Sequence, residues 1–264
     1  MKIGFIGCGN MAQAMIKGIV EAKWIQNEDI LVSNRTSKKL EKVKDLYGVS
    51  TTTDNCVVVK NSDILVLSVK PKIYSLIIEE IRDVVKADTL IVSIAPGITL
   101  HQLETQFIQT HKIVRCMPNT PAMVNEGCTA YVMNANCDNT NQQIIEKLLS
   151  CFGIAASVDE SLMDAVTGLS GSSPAFVYMF IEALADGAVH EGMPREMAYQ
   201  FAAQTVLGSA KLVLASGNHP GICKDQVCSP AGTTIEGVRT LEADGFRSSV
   251  MEAVIAASRK SKGE

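Results

Sequence analysis

Gly7, Gly9 and Ala12, spaced as G-x-G-x-x-A behind an apolar run, are the residues whose types and spacing most directly imply a ligand. Glycine at the first position permits a tight turn, glycine at the second lets backbone approach a pyrophosphate, and alanine at the third lets a helix lie close to its strand. A helix starting there offers free N–H groups and a positive dipole end to phosphates. The implied chemistry is dinucleotide binding, against a glycine turn that holds nothing. A second set is Asn34-Arg35-Thr36 with Lys38 and Lys39. An acidic residue there would bind the adenosine ribose 2'-hydroxyl and repel a 2'-phosphate; these residues favour NADP over NAD, unless they only solvate the next helix. A third is Ser229-Pro230-Ala231-Gly232-Thr233-Thr234, ahead of a helical pattern over 235–241. Helix-start N–H groups suit a carboxylate, with Thr233 or Thr234 adding a hydroxyl, while spacing alone favours an N-cap with a spare threonine. Lys70, at a strand end, reads as a solvent-facing or phosphate-side group rather than a general acid.

The elements that must position these residues follow from hydrophobic periodicity. The first strand runs into the glycine loop, and its helix extends to about Ala22. A strand over 29–33, a helix over 37–47 stopped by Gly48, and a short helical turn after Asp54-Asn55 follow. Continuous apolar runs at 63–69, 89–95 and 112–116 suit parallel strands covered on both faces. They end at Lys70-Pro71, Pro96-Gly97 and Met117 to Pro121, all on the carboxyl side where open α/β sheets bind ligands. A β-like stretch at 127–133, a helix over 140–151 and a strand over 154–158 complete a Rossmann-type α/β domain, residues 1–160, with a mostly parallel sheet. Residues 161–264 read as all-α, with breaks at Gly168 to Gly171, Gly192 to Pro194 and Ser216 to Pro220.

The 264 residues carry a formal net charge of -4 and are 47% hydrophobic, ample for two cores and without the basic block that nucleic acid requires. Eight cysteines without a C-x-x-C pair and four scattered histidines give neither a zinc site nor a disulfide framework, so no metal is assigned. Met1-Lys2 runs straight into the first strand, which leaves no room for a signal peptide and points to the cytoplasm. The apolar stretch 172–192 is interrupted by Glu182, Asp186, His190 and Glu191, which suits a packed helix rather than a membrane span. Its Phe176, Val177, Met179, Phe180, Ile181, Leu184 and Ala188 exceed what a small helical domain covers alone, which implies a dimer.

Several segments together resemble the pyrroline-5-carboxylate reductases over essentially the whole chain. They are residues 4–11, Val69-Lys70-Pro71, residues 115–122, residues 164–171, His219-Pro220 and residues 229–235. The resemblance implies a Rossmann domain for NADPH or NADH, and a helical domain that interlocks with its twin in a homodimer and often in a ring of dimers. It also implies reduction of 1-pyrroline-5-carboxylate to proline. By resemblance Ile6, Gly7, Cys8, Gly9, Asn10 and Met11 line the pyrophosphate, Asn34 and Arg35 the 2'-phosphate, and Asn55 the adenosine ribose. Val69, Lys70, Pro71, Ala95, Met117, Pro118 and Asn119 border the nicotinamide half. Gly232, Thr233 and Thr234 hold the substrate carboxylate, with Thr234 the hydroxyl contact placed among the catalytic residues. Ser173 and Ala231 stand where the family usually has glycine, and Pro96 where it has a smaller residue; the Ala231 methyl is expected to oppose a positive φ. The alternatives are an NADP-dependent 3-hydroxyacid-type dehydrogenase, for which Lys211 is the candidate base, and an NADPH-sensing module without turnover.

Overall fold

The computed structural model describes residues 1–107 and 110–264. Two compact units divide the chain: Met1–Ser172 together with Ala257–Glu264, and Ser173–Ala256. The last residues of the chain, 257–264, thus belong to the first unit.

In the first unit the elements run β1 (Ile3–Ile6), α1 (Asn10–Glu21), β2 (Ile30–Ser33), α2 (Ser37–Tyr47), β3 (Ser50–Thr52), α3 (Asn55–Lys60), β4 (Ile64–Leu67), α4 (Tyr74–Ile81), β5 (Leu90–Ser93) and α5 (Leu100–Gln106). They continue with β6 (Lys112–Met117), β7 (Gly127–Met133), α6 (Asn139–Ser150), β8 (Gly153–Ser157) and α7 (Met163–Val166). Among the described residues one eight-stranded sheet forms, in the order β3-β2-β1-β4-β5-β6-β7-β8. β1 to β6 are parallel, β7 runs antiparallel to β6, and β8 is parallel to β7.

Alternation along the strands feeds two cores, one on each face. Ile3, Phe5, Ile30, Val32, Ile64, Val66, Val92 and Val114 join α1 and α6 residues such as Ile16 and Leu148 on one face. Ile6, Leu65, Leu67, Ile91 and Ile113 join Val58, Ile78 and Leu103 on the other. That double burial explains the continuous apolar strands, and it fixes register, because a slip by one residue would exchange the faces. Buried Arg115 pairs with Glu160 at 2.9 Å, and the same Glu160 oxygen accepts from Leu100 N–H at 2.7 Å at the start of α5. Ser261 donates to Asp164 at 2.6 Å, which ties the returning C-terminal residues to α7.

The helical break expected at Gly168 to Gly171 is a π turn, Thr167–Gly171, with Ser172 N–H donating to Thr167 O at 2.9 Å. Glycine loosened the turn here without ending it. The second unit holds α8 (Ser173–His190), α9 (Arg195–Ser216), α10 (Pro220–Gln226), α11 (Thr233–Ala243) and the first part of α12 (Phe246–Lys262). Gly217, at φ 64, ends α9, and His219 accepts from Gly221 N–H at 3.0 Å as the cap of α10. Only alanines, Ala185, Ala198 and Ala202, form a buried core among the described residues of this unit. Tyr178, Met179, Phe201 and Leu214 stay between 55% and 78% exposed.

Candidate active site

The carboxyl ends of β1 to β6 lie along one edge of the first unit's sheet, and the order reverses between β1 and β4, where open α/β sheets form a ligand crevice. Gly7 leaves β1 at φ 103, and a Cβ there would stand 2.7 Å from Ser68 O. Its N–H donates to Ser33 O at 2.9 Å, so the turn is stitched to β2. Ser68 binds it from the other side, its hydroxyl 2.9 Å from both Ile6 O and Gly7 O. Gly9 caps α1 without any side-chain hydrogen bond, and a Cβ on it would meet nothing within 4 Å. The helix start is therefore free of internal partners and sterically open, which fits a pyrophosphate.

Cys8 exposes no side chain at the loop. Its side chain is buried in the core, burial pushes its thiol pKa up against a smaller opposing effect of Lys39, and its carbonyl accepts from Gln13 Nε2 at 3.2 Å. Asn10 is exposed and Met11 half-buried. Asn34 is half-buried and folds back on Thr36 O at 3.1 Å, while Arg35, Lys38 and Lys39 are exposed. Asn55 accepts from Ser33 Oγ at 2.7 Å and donates to Glu80 at 2.9 Å, so its amide is taken up in joining β2, α3 and α4. Spacing gave no sign of that carboxylate.

The residues expected to border the nicotinamide lie at or just beyond the ends of β4, β5 and β6. Val69 is half-buried, Lys70 and Pro71 are exposed, and Ala95 is buried. Asn119 donates to Ser170 O at 3.0 Å and accepts from Cys128 N–H at 2.9 Å, so it braces the loop of Met117 and Pro118. Tyr74, which sequence reasoning missed with Ser68, donates to Leu67 O at 2.5 Å and accepts from Ser93 Oγ at 3.1 Å. Burial drives its phenol pKa far up, so it acts as a neutral strut between the ends of β4 and β5. Pro96 and Gly97 open onto a cavity of about 400 Å³ bordered by Thr167, Ser172 and Lys260.

In the second unit Gly232 caps α11 with no side-chain hydrogen bond, and Thr233 and Thr234 are exposed at its first positions. The capping alternative for the threonines is absent: neither hydroxyl closes the helix start. Free N–H groups and two free hydroxyls remain for an anion.

The matching known proteins extend over both units. Residues 160–264 match the family model described as pyrroline-5-carboxylate reductase dimerisation, and residues 2–97 match the one described as NADP oxidoreductase, coenzyme F420-dependent. The pyrroline-5-carboxylate reductase of Escherichia coli K12 is 46% identical over 261 residues, covering 99% of this chain and 97% of that protein. The chain belongs to the pyrroline-5-carboxylate reductase family. A solved pyrroline-5-carboxylate reductase from Coxiella burnetii superposes with a TM-score of 0.93 at 33% identity, over 99% of this chain and 97% of that one. The Plasmodium falciparum pyrroline carboxylate reductase, solved with NADP bound, gives a TM-score of 0.90 at 34% identity, covering 100% of this chain and 97% of that one. Among the described residues no helix is long and apolar enough to cross a membrane.

One departure from the reductase pattern behaves differently from expectation. Ala231 adopts φ 55 despite its methyl, so the backbone ahead of α11 takes the left-handed conformation and the alanine is strained. The left-handed region costs an L-residue about 1–2 kcal/mol, partly offset because alanine restricts the unfolded chain. Ala231→Gly is therefore expected to stabilise the protein by about 0.5–1 kcal/mol in urea unfolding at fixed protein concentration. A loss of stability would show that the methyl makes contacts outweighing its strain.

Proposed function

We propose that this chain reduces 1-pyrroline-5-carboxylate to L-proline with NADPH, the last step of proline biosynthesis, with NADH as the weaker donor. The observation that carries the reading is full-length kinship with the Escherichia coli reductase, which takes in both the glycine loop and the threonine cup. The domain roles follow: residues 1–160 bind the dinucleotide, and residues 161–264 form the dimerisation and substrate domain.

When bound, the reduced nicotinamide supplies a hydride from its C4 to the imine carbon of the ring, the atom that becomes C5 of proline. The chain's own task is placement. Ile6, Gly7, Cys8, Gly9, Asn10 and Met11 present the open start of α1 to the pyrophosphate, and Asn34 and Arg35 receive the 2'-phosphate. Asn55 borders the adenosine ribose, and Val69, Lys70, Pro71, Ala95, Met117, Pro118 and Asn119 border the nicotinamide. Gly232, Thr233 and Thr234 hold the carboxylate, and the Thr234 hydroxyl aligns the ring. A protonated imine is already electrophilic: as hydride adds to carbon, the C=N π electrons become the nitrogen lone pair and proline nitrogen keeps the proton. No strong Brønsted acid is required, which fits a site without a catalytic His or Cys. The exposed apolar helices of the second unit support a homodimer, and a ring of dimers is the larger assembly the family resemblance implies.

Steady-state NADPH oxidation with pyrroline-5-carboxylate, and proline as product, tests the reading; turnover of a 3-hydroxyacid instead, or cofactor binding without turnover, would overturn it. Cofactor choice gives a separate prediction. kcat/KM should favour NADPH over NADH, and Arg35→Ala should cut that preference by roughly 10-fold or more, the loss of one charge-assisted contact. An NADH preference, or selectivity unchanged in Arg35→Ala, would contradict the 2'-phosphate assignment.

A further inference from the structure

Among the described residues no strand pairs with the outer edge of β8. In the β7–β8 ladder Gly127 N–H donates to Phe152 O at 3.0 Å and Val158 N–H to Tyr131 O at 3.1 Å, in a register that sets Gly127 beside Gly153 and Tyr131 beside Ser157. A strand residue's own N–H and C=O point to one side, and the side alternates along the strand. Phe152, Ile154, Ala156 and Val158 thus face β7, while the backbone groups of Gly153, Ala155 and Ser157 point outward. β8 ends the sheet, so these groups have no strand partner among the described residues.

Natural sheets guard such edges with very short strands, Lys, Pro or bulges. The opposite edge follows that rule, for β3 is three residues of Ser-Thr-Thr. β8 does not: it is five residues, Gly-Ile-Ala-Ala-Ser, with no charge and no proline, and Ile154 is 65% exposed. Uncharged and largely apolar, this edge has the character of a strand that is covered in the working protein.

We propose that β8 pairs antiparallel with β8 of a second copy about a two-fold axis at Ala155, joining the two sheets into one. The inference rests on the dimeric reading above and names the surface through which the sheets meet. Two identical edges related by a two-fold axis meet antiparallel, as an isologous contact requires. Centring on Ala155 sets Ala155 opposite Ala155 and Gly153 opposite Ser157, all hydrogen-bonded pairs, so every outward N–H and C=O of these residues gains a partner. Ile154 then falls beside Ala156 of the other copy on one face, which reduces its exposure. The match to the dimerisation model begins at residue 160, three residues beyond the end of this strand in the sequence, which supports a second copy of this chain as the occupant of the edge. A single strand pair buries far less than the ~1,200 Å² of a stable interface, so the β8 pair is one part of the dimer contact and not the whole of it.

Amide hydrogen exchange on the full-length protein, at a concentration where light scattering shows a dimer, tests this. Ala155 and Ser157 are expected to exchange at least roughly 100-fold more slowly than unbonded amides. Ala155→Pro removes an outward N–H and leaves the donors to β7 in place. It should raise the dimer dissociation midpoint by about 10-fold or more, with NADPH affinity unchanged. Free exchange at Ala155 and Ser157 within a proven dimer overturns the strand pairing while leaving the dimer intact. Slow exchange with unaltered dissociation in Ala155→Pro also overturns it, since the edge is then covered by a helix. A monodisperse monomer by light scattering removes the dimeric reading itself.

Discussion

Gly7→Ala is expected to lose about 2–5 kcal/mol of stability and roughly 100-fold or more in NADPH affinity. The residue sits at φ 103, where an L side chain is strained, and the added Cβ would stand 2.7 Å from Ser68 O and 2.9 Å from Val69 Cγ1. The turn would have to open, withdrawing the start of α1 from the position the pyrophosphate needs. Gly9→Ala makes the internal comparison. Its Cβ meets nothing within 4 Å, so stability should change by no more than about 1 kcal/mol, whereas a methyl there stands where the phosphates are proposed to approach. Chemical unfolding and titration of NADPH fluorescence separate the two effects. If Gly9→Ala bound NADPH as wild type does, the pyrophosphate would not lie over this loop; if Gly7→Ala were as stable as wild type, the Ser68 contact would not constrain the turn.

Thr234→Ala is expected to lower kcat/KM by roughly 10- to 150-fold with NADPH affinity nearly intact, the effect of removing one hydrogen bond to a charged or developing charge. The structure strengthens the motive, because Gly232 caps α11 and Thr234 is exposed with no capping duty. A stability loss is therefore not expected to confuse the result. Thr234→Ser, which keeps the hydroxyl, should retain more activity. Wild-type kinetics in Thr234→Ala would remove the hydroxyl's role, and an equal loss of NADPH affinity would place the threonine cup in the cofactor half of the site.

The first βα unit was readable because its signal is chemical: Gly7 and Gly9 occur where backbone must turn and be approached. The strands ending at Leu67, Ser93 and Met117 were readable because burial on both faces demands unbroken apolar runs. β3 left no such trace, being three residues of polar edge. α4 and α5 are short, and only the capping box of Thr99 and Gln102 announces α5. The antiparallel direction of β7 has no local signature, since pairing direction is settled by the connection and the neighbouring strands. In the site, residue types were readable and partners were not. Ser68 and Tyr74 are ordinary members of apolar segments until the fold sets their hydroxyls on the carbonyls of β1 and β4. Asn55 and Asn119 look like ligand amides, yet their side chains are engaged within the protein. Ala231 shows the converse case, in which the expectation from residue type lost to the backbone path that the helix start imposes.

The central claim is hydride transfer to the imine carbon of pyrroline-5-carboxylate, and following the label in a single turnover tests it most directly. NADPH deuterated at C4 on the transferred face, incubated with the protein and pyrroline-5-carboxylate, should yield proline carrying one deuterium at C5 for each NADPH oxidised. NADPH consumption without deuterium in proline, or no consumption with this substrate, would contradict the account.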